Sequence, residues 1–202
     1  MDELVRQALA RWPNVPAISG WLRLSARGEW LLTGDVPAGV RINHPNMRRF
    51  IDRNYAVDGQ GRWFFQNGPQ KVYVSLEYTP WVFGLHPLPE GRWCLLSHTR
   101  VATLPTALWL DEGGQFLFET PLGIGVMRDT DMEMLTEFLT ETAEGQWALS
   151  APWSVPADDL CATRDWMRDM AAAVPAAAAL VAQSVTRSDV PLRFSFNAQP
   201  SV

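Results

Sequence analysis

Apolar residues recur at helical spacing from Leu4 to Trp12 (Leu4, Val5, Ala8, Leu9, Trp12), and Pro13 stops the run, so the chain is predicted to open with a short helix. From Gly20 the period changes to two. Gly20-Trp21-Leu22-Arg23-Leu24, the turn Ser25-Ala26-Arg27-Gly28 and Glu29-Trp30-Leu31-Leu32 predict a hairpin. Asn43 and Pro45 then suit a helix start, one as a side-chain cap and the other as a first-turn residue that needs no donor. The helix runs to about Asn54 with Met47, Phe50 and Ile51 on one face. Strand-like segments follow at Arg62–Phe65, Lys71–Leu76, Trp81–Phe83, Trp93–Leu96, Ala107–Leu110 and Gln115–Phe118. A second internal helix is predicted from Asp129 or Thr130 to about Thr142, on a stripe of Met132, Leu135, Phe138 and Leu139. Beyond Pro156, Asp158 begins a helix carrying Leu160, Met167 and Met170 that Pro175 kinks or splits, and Leu192–Phe196 alternates like a closing strand.

One tripeptide recurs along this pattern: Gly28-Glu29-Trp30, Gly61-Arg62-Trp63, Gly91-Arg92-Trp93, Gly114-Gln115-Phe116 and Gly145-Gln146-Trp147. Glycine lets a turn reach positive φ, and the aromatic then starts the return strand on its buried face. Two of the intervals, 33 and 31 residues long, also contain a helix. Val40 and Ile42 before the first helix match Ile124 and Val126 before the second, and Phe50-Ile51 matches Phe138-Leu139. The pattern predicts a duplicated β-β-α-β unit.

Composition narrows the function classes. A chain of 202 residues with 47% apolar and 19% charged residues can bury a core without staples, and its ten Trp residues are expected mainly there. Net charge of −5 argues against nucleic acid as a partner. The Ala-rich stretch Met170–Ala182 is too short and is broken by Pro175, so no membrane span is expected. Cys94 and Cys161 are isolated and the acidic start Met1-Asp2-Glu3-Leu4 lacks an apolar signal core, which together predict a reducing cytoplasm.

Signatures of chemistry are sparse. His44, His86 and His98 stand apart from one another, and only Cys94, four residues from His98, offers a neighbouring ligand, so no metal site is expected. There is no G-x-S-x-G elbow and no phosphate-cradling glycine loop, and no cofactor is expected. The densest polar group surrounds the first internal helix: Arg41, His44, Arg48, Arg49, Arg53 and Asn54, in which Arg49 and Arg53 lie one turn apart and could grip an anion together. A second candidate is an aromatic groove of Tyr78, Trp81, Trp63, Phe65 and Tyr73.

The string Trp30, Arg41-Ile42, Phe50, Gly61-Arg62-Trp63, Val72-Tyr73-Val74, Tyr78-Thr79-Pro80-Trp81-Val82 and Asp129–Leu135 resembles the bacterial domain of unknown function 1285 across roughly residues 20–150. That resemblance implies a small α+β fold with repeated structural motifs and a part in signal transduction, and it supplies no site residues. The expected architecture is therefore α+β: antiparallel sheets of repeated hairpin or β-β-α-β units, helices on one side, and a C-terminal helical region. Residues 1–19 form the N-terminal helix, 20–150 the duplicated region, and 151–202 the C-terminal helical region with its closing strand. The expected activity is a non-enzymatic module for a small-molecule or protein partner, compatible with a homo-oligomer. The alternative is a hydrolase whose site combines an arginine with Glu77 or Asp111.

Overall fold

The computed structural model describes residues 1–34, 39–154 and 179–202. The chain divides into two compact units, one of residues 1–80 with 191–202 and one of residues 81–190. Both are mainly β within an α+β fold.

The first unit opens with helix α1 (Glu3–Arg11), whose Val5 is buried. Strands β1 (Ile18–Leu24), β2 (Trp30–Leu32) and β3 (Val40–Arg41) lead to helix α2 (Pro45–Arg53), and β4 (Tyr55–Val57), β5 (Trp63–Asn67) and β6 (Gln70–Leu76) follow. They form one six-stranded sheet in the order β3-β2-β1-β6-β5-β4. The two outer sets are antiparallel hairpins, and β1 and β6 join them in parallel. Leu22, Leu24, Trp30, Ile51, Phe65, Val74 and Leu76 are buried in this unit. Residue 44 rather than Asn43 precedes α2, and its side chain makes no cap bond.

The second unit adds β7 (Trp81–Pro87), β8 (Trp93–Ser97) and β9 (Ala102–Thr103). It then repeats the first pattern with β10 (Ala107–Asp111), β11 (Phe116–Thr120), β12 (Gly123–Met127), α3 (Met132–Thr136), β13 (Leu139–Glu141), β14 (Trp147–Leu149) and β15 (Leu180–Val185). The strand order β13-β14-β15-β10-β11-β12 reproduces the first sheet, including a parallel join, here between β10 and β15. β7 extends it by pairing in parallel with the outer edge of β12. The repeat is thus β-β-β-α-β-β-β, larger than the expected β-β-α-β.

Ladder register fixes which residues correspond. Leu24 faces Trp30 and Leu22 faces Leu32 in one copy, and Leu110 faces Phe116 and Leu108 faces Phe118 in the other. Val40 faces Leu32 as Gly125 faces Phe118, so β3 is one residue out of the expected match, Val40 with Ile124, because the β2–β3 connection is a residue longer. The second internal helix is also shorter than expected. Leu139 opens β13 opposite Leu149, as Tyr55 opens β4 opposite Phe65, so it corresponds to a strand residue rather than to Ile51.

The recurring turn has a common mechanism. At Ser25, Asp58, Ser97, Asp111 and Thr142 the backbone N–H donates to the carbonyl four residues on, and the N–H three residues on donates back. The side-chain oxygen of the same residue accepts the N–H four residues on in all five. The residue three on takes positive φ: Gly28, Gly61, Gly114 and Gly145, with Arg100 in the Ser97 turn. This device is a type I turn closed by a left-handed residue, held by a short polar side chain. The turn at Gly91 has Leu88 in the capping position and lacks that brace. Gly61 has a second constraint, since a Cβ there would stand 2.4 Å from the carbonyl oxygen of Ser195.

The expected closing strand at Leu192–Phe196 is instead helix α4 (Val190–Arg193) and a turn with Ser195 at φ 54°. Pro191 favours a first helical turn, and Leu192 is exposed, so the alternation marked no buried face. The strand that completes the second sheet is β15, in a stretch where no strand was expected. The helix expected from Asp158 lies outside the described residues. Among the described residues no helix is long and apolar enough to cross a membrane.

Candidate functional site

In the first unit the sheet and α2 enclose a cavity of about 650 Å³. Its origin lies in a bulge in β1. Ile18 pairs with Val72 and Leu22 with Val74, so β1 spends extra residues over that step, and Gly20 at φ 79° absorbs them. The bulge turns Trp21 toward the same cavity as its neighbours Ile18 and Leu22. Leu32 of β2, Phe65 of β5 and Val72 of β6 continue the apolar wall.

Helix α2 supplies the other wall. Met47 and Ile51, one turn apart, both line the cavity. The helix is held over the sheet by the Trp30 indole N–H, which donates to Asp52 at 2.7 Å, and by an edge contact of Phe50 with Phe65. Ile42, Asn43 and His44 enter at its start, and Asn67 and Gln70 border it from the β5–β6 turn. Among the described residues no Asp, Glu, Lys or Arg side chain lines the cavity. Apolar groups reach solvent at its edge: Trp21, Leu32 and Met47 are all about half exposed, at 54%, 52% and 48%.

Of the residues expected to form a site, only His44, and Phe65 from the aromatic set, line this cavity. Arg41 pairs with Glu29 at 2.9 Å, and Arg49 donates to Asn46 at 2.6 Å. Arg53 is bonded to Asp2 at 3.0 Å, which raises the guanidinium pKa and lowers that of the carboxyl. Asn54 is buried and ties the backbone N–H of Asp2 to the end of α2. Arg49 and Arg53 are therefore held by different partners.

The aromatic set is likewise divided. Tyr73 pairs with Phe64, while Phe65 pairs with Val72, so Tyr73 and Phe65 lie on opposite faces of the sheet. The Tyr73 hydroxyl donates to Asp58 at 3.1 Å, and its ring lies under Arg62. Burial, reinforced by that bond, raises the Tyr73 pKa. Tyr78 is buried in the first unit. Trp81 belongs to the second unit, where its indole N–H donates to the Leu122 carbonyl at 2.7 Å.

The two carboxylates expected for a hydrolase each make a structural contact. Glu77 accepts the Ala26 N–H in the first unit, and Asp111 braces its turn in the second. His98 is half-buried, desolvation of its ring lowers its pKa to about 3, and its Nδ1 accepts the Val82 N–H at 3.4 Å. Among the described residues no group of three His, Cys, Asp or Glu side chains could hold a metal ion. The cavity walls escaped the sequence reading because large apolar residues were assigned to core. The usable signal was Gly20-Trp21-Leu22, two large side chains in succession after a glycine, which is how a bulge reads in a strand.

The fold and cavity together define a duplicated α+β protein whose first copy holds an apolar cavity. The chain belongs to the DUF2944 family, described as a protein of unknown function (DUF2946), whose model matches residues 1–201. Among solved structures, a DUF1285 family protein from Silicibacter pomeroyi DSS-3 is similar, with 15% identity and a TM-score of 0.47 over 74% of this chain and 90% of that one. No curated protein matches the chain.

Proposed function

We propose that the protein is a non-enzymatic binding module that takes a small, mainly apolar ligand into the cavity of its first unit. The observation that carries this reading is an apolar cavity of about 650 Å³ with a few polar groups along one border. Binding pockets for organic molecules have this size and this balance of lining. The half-exposed Trp21, Leu32 and Met47 support the reading, because apolar surface left open in a folded unit marks a place of contact. The buried free thiol of Cys94 suits a reducing, cytoplasmic setting.

The test uses the fluorescent apolar probe N-phenyl-1-naphthylamine with the full chain. The wild type is expected to bind it saturably, and Leu32→Trp, which fills the cavity mouth, to weaken binding by about tenfold or more. Val57→Trp, at an exposed residue outside the cavity, should leave binding unchanged. Equal binding by all three proteins would show that the probe sits elsewhere, and the reading would fail.

A further inference from the structure

The lining also specifies the charge of the occupant. The polar groups facing the cavity are the carboxamides of Asn43, Asn67 and Gln70 and the imidazole of His44. Each carboxamide offers a donor and an acceptor and neither sign of charge. The side chains of Asn43, His44 and Asn67 make no hydrogen bond to any described residue, and Gln70 reaches only the Pro16 carbonyl at 3.4 Å. Four polar groups, of which Asn43, His44 and Asn67 are exposed, thus stand at the border of an apolar chamber.

Arg41 pairs with Glu29, Arg53 with Asp2, and Arg49 donates to Asn46, and none of these, nor Arg48, is among the described residues that line the cavity. A carboxylate or ammonium drawn against the apolar walls would lose hydration and meet no counter-ion among the described lining residues, whereas a hydroxyl, amide or ester could exchange its water for the carboxamides. Resting on the reading of this cavity as a ligand site, we propose that it selects uncharged amphiphiles. The apolar body lies against Ile18, Leu22, Leu32, Ile51 and Val72, and the neutral head bonds to the Asn43, His44, Asn67 and Gln70 border.

The experiment displaces N-phenyl-1-naphthylamine with four molecules that share a decyl-length chain: decanol, decanamide, decanoate and decylammonium. Decanol and decanamide are expected to compete at about tenfold lower concentration than either ion. Decanoate or decylammonium competing as well as the neutral pair would overturn the charge selectivity while leaving the ligand site standing. Failure of all four to displace a saturably bound probe would overturn both. A second variant locates the head. Asn67→Asp should improve decylammonium by about tenfold and leave decanol within about twofold. An unchanged affinity for decylammonium would remove the head group from this border and sink the proposal.

Discussion

The two copies of the repeat have the same strand order, the same parallel join and the same braced turns, and the cavity described above lies in the first. At matched ladder positions the first copy has Leu32, 52% exposed, and the second has Phe118, fully buried. Leu108, its ladder partner, and Met127, Leu135 and Leu149 of the same unit are all buried. Along the outer edge, β7 lies on β12, and the Phe83 ring occupies the space a Cβ would take at Gly125. Its counterpart Val40 stands exposed at the end of the first sheet. One topology therefore accommodates a buried ring at Phe118 or a half-exposed side chain beside a cavity at Leu32, and the difference lies in a few side chains and one added strand.

The largest expected difference lies in the aromatic residues that follow the turns. Trp63 is buried and stacks on Tyr55 at 4.7 Å, whereas its counterpart Trp147 is 43% exposed and faces Glu141 across the strand pair. Trp63→Ala should cost about 4 kcal/mol by opening a void in the first unit. Trp147→Ala should cost less than about 1 kcal/mol. Denaturant unfolding of the two variants measures the gap, and equal losses would mean that Trp147 is packed as tightly as Trp63.

The next difference lies in the turns themselves. Asp58 accepts the N–H groups of Gln60 and Arg62, the Arg62 guanidinium and the Tyr73 hydroxyl, whereas Thr142 accepts only the Gln146 N–H. Burial alone would raise the Asp58 carboxyl, but the two backbone donors, Arg62 and Tyr73 together lower it from 3.8 to about 2. Because the folded value is the lower one, this stabilisation is fully present above the ordinary carboxylate range and is lost as pH falls from about 4 through about 2. Asp58→Ala should cost roughly 2 kcal/mol at neutral pH, against less than about 1 kcal/mol for Thr142→Ala. Asp58→Asn should flatten the acid limb of the stability curve, and an unaltered limb would assign that limb to other carboxylates.

These contrasts show what a one-dimensional reading could reach. The duplication was legible because the turn chemistry is local: a short polar residue, two free positions, then glycine, as in Asp58-Gly59-Gln60-Gly61. The Ser97 turn was missed because Arg100 occupies the left-handed place that glycine announces elsewhere. The parallel joins of β1 with β6 and β10 with β15 were not legible, since no turn signals a pairing between distant segments. Around α2, charge density pointed to arginines that the fold spends on Glu29, Asn46 and Asp2. The cavity was hidden because an apolar wall and an apolar core have the same alternation, and only tertiary packing decides which residue meets a neighbour.

The smallest expected effect bears most directly on that last point. Phe118→Leu removes ring volume from a fully buried site and should cost about 1–2 kcal/mol, as large-to-small core changes do. The reciprocal Leu32→Phe adds a ring beside open space, so it should change stability by less than about 0.5 kcal/mol, without the overpacking cost that a filled core would impose. Thermal unfolding measures both, and probe titration separates the outcomes further, because Leu32→Phe should weaken probe binding while Phe118→Leu leaves it unchanged. If Leu32→Phe destabilises the chain by as much as Phe118→Leu, the space beside Leu32 is already filled, and the contrast between the two matched positions is lost.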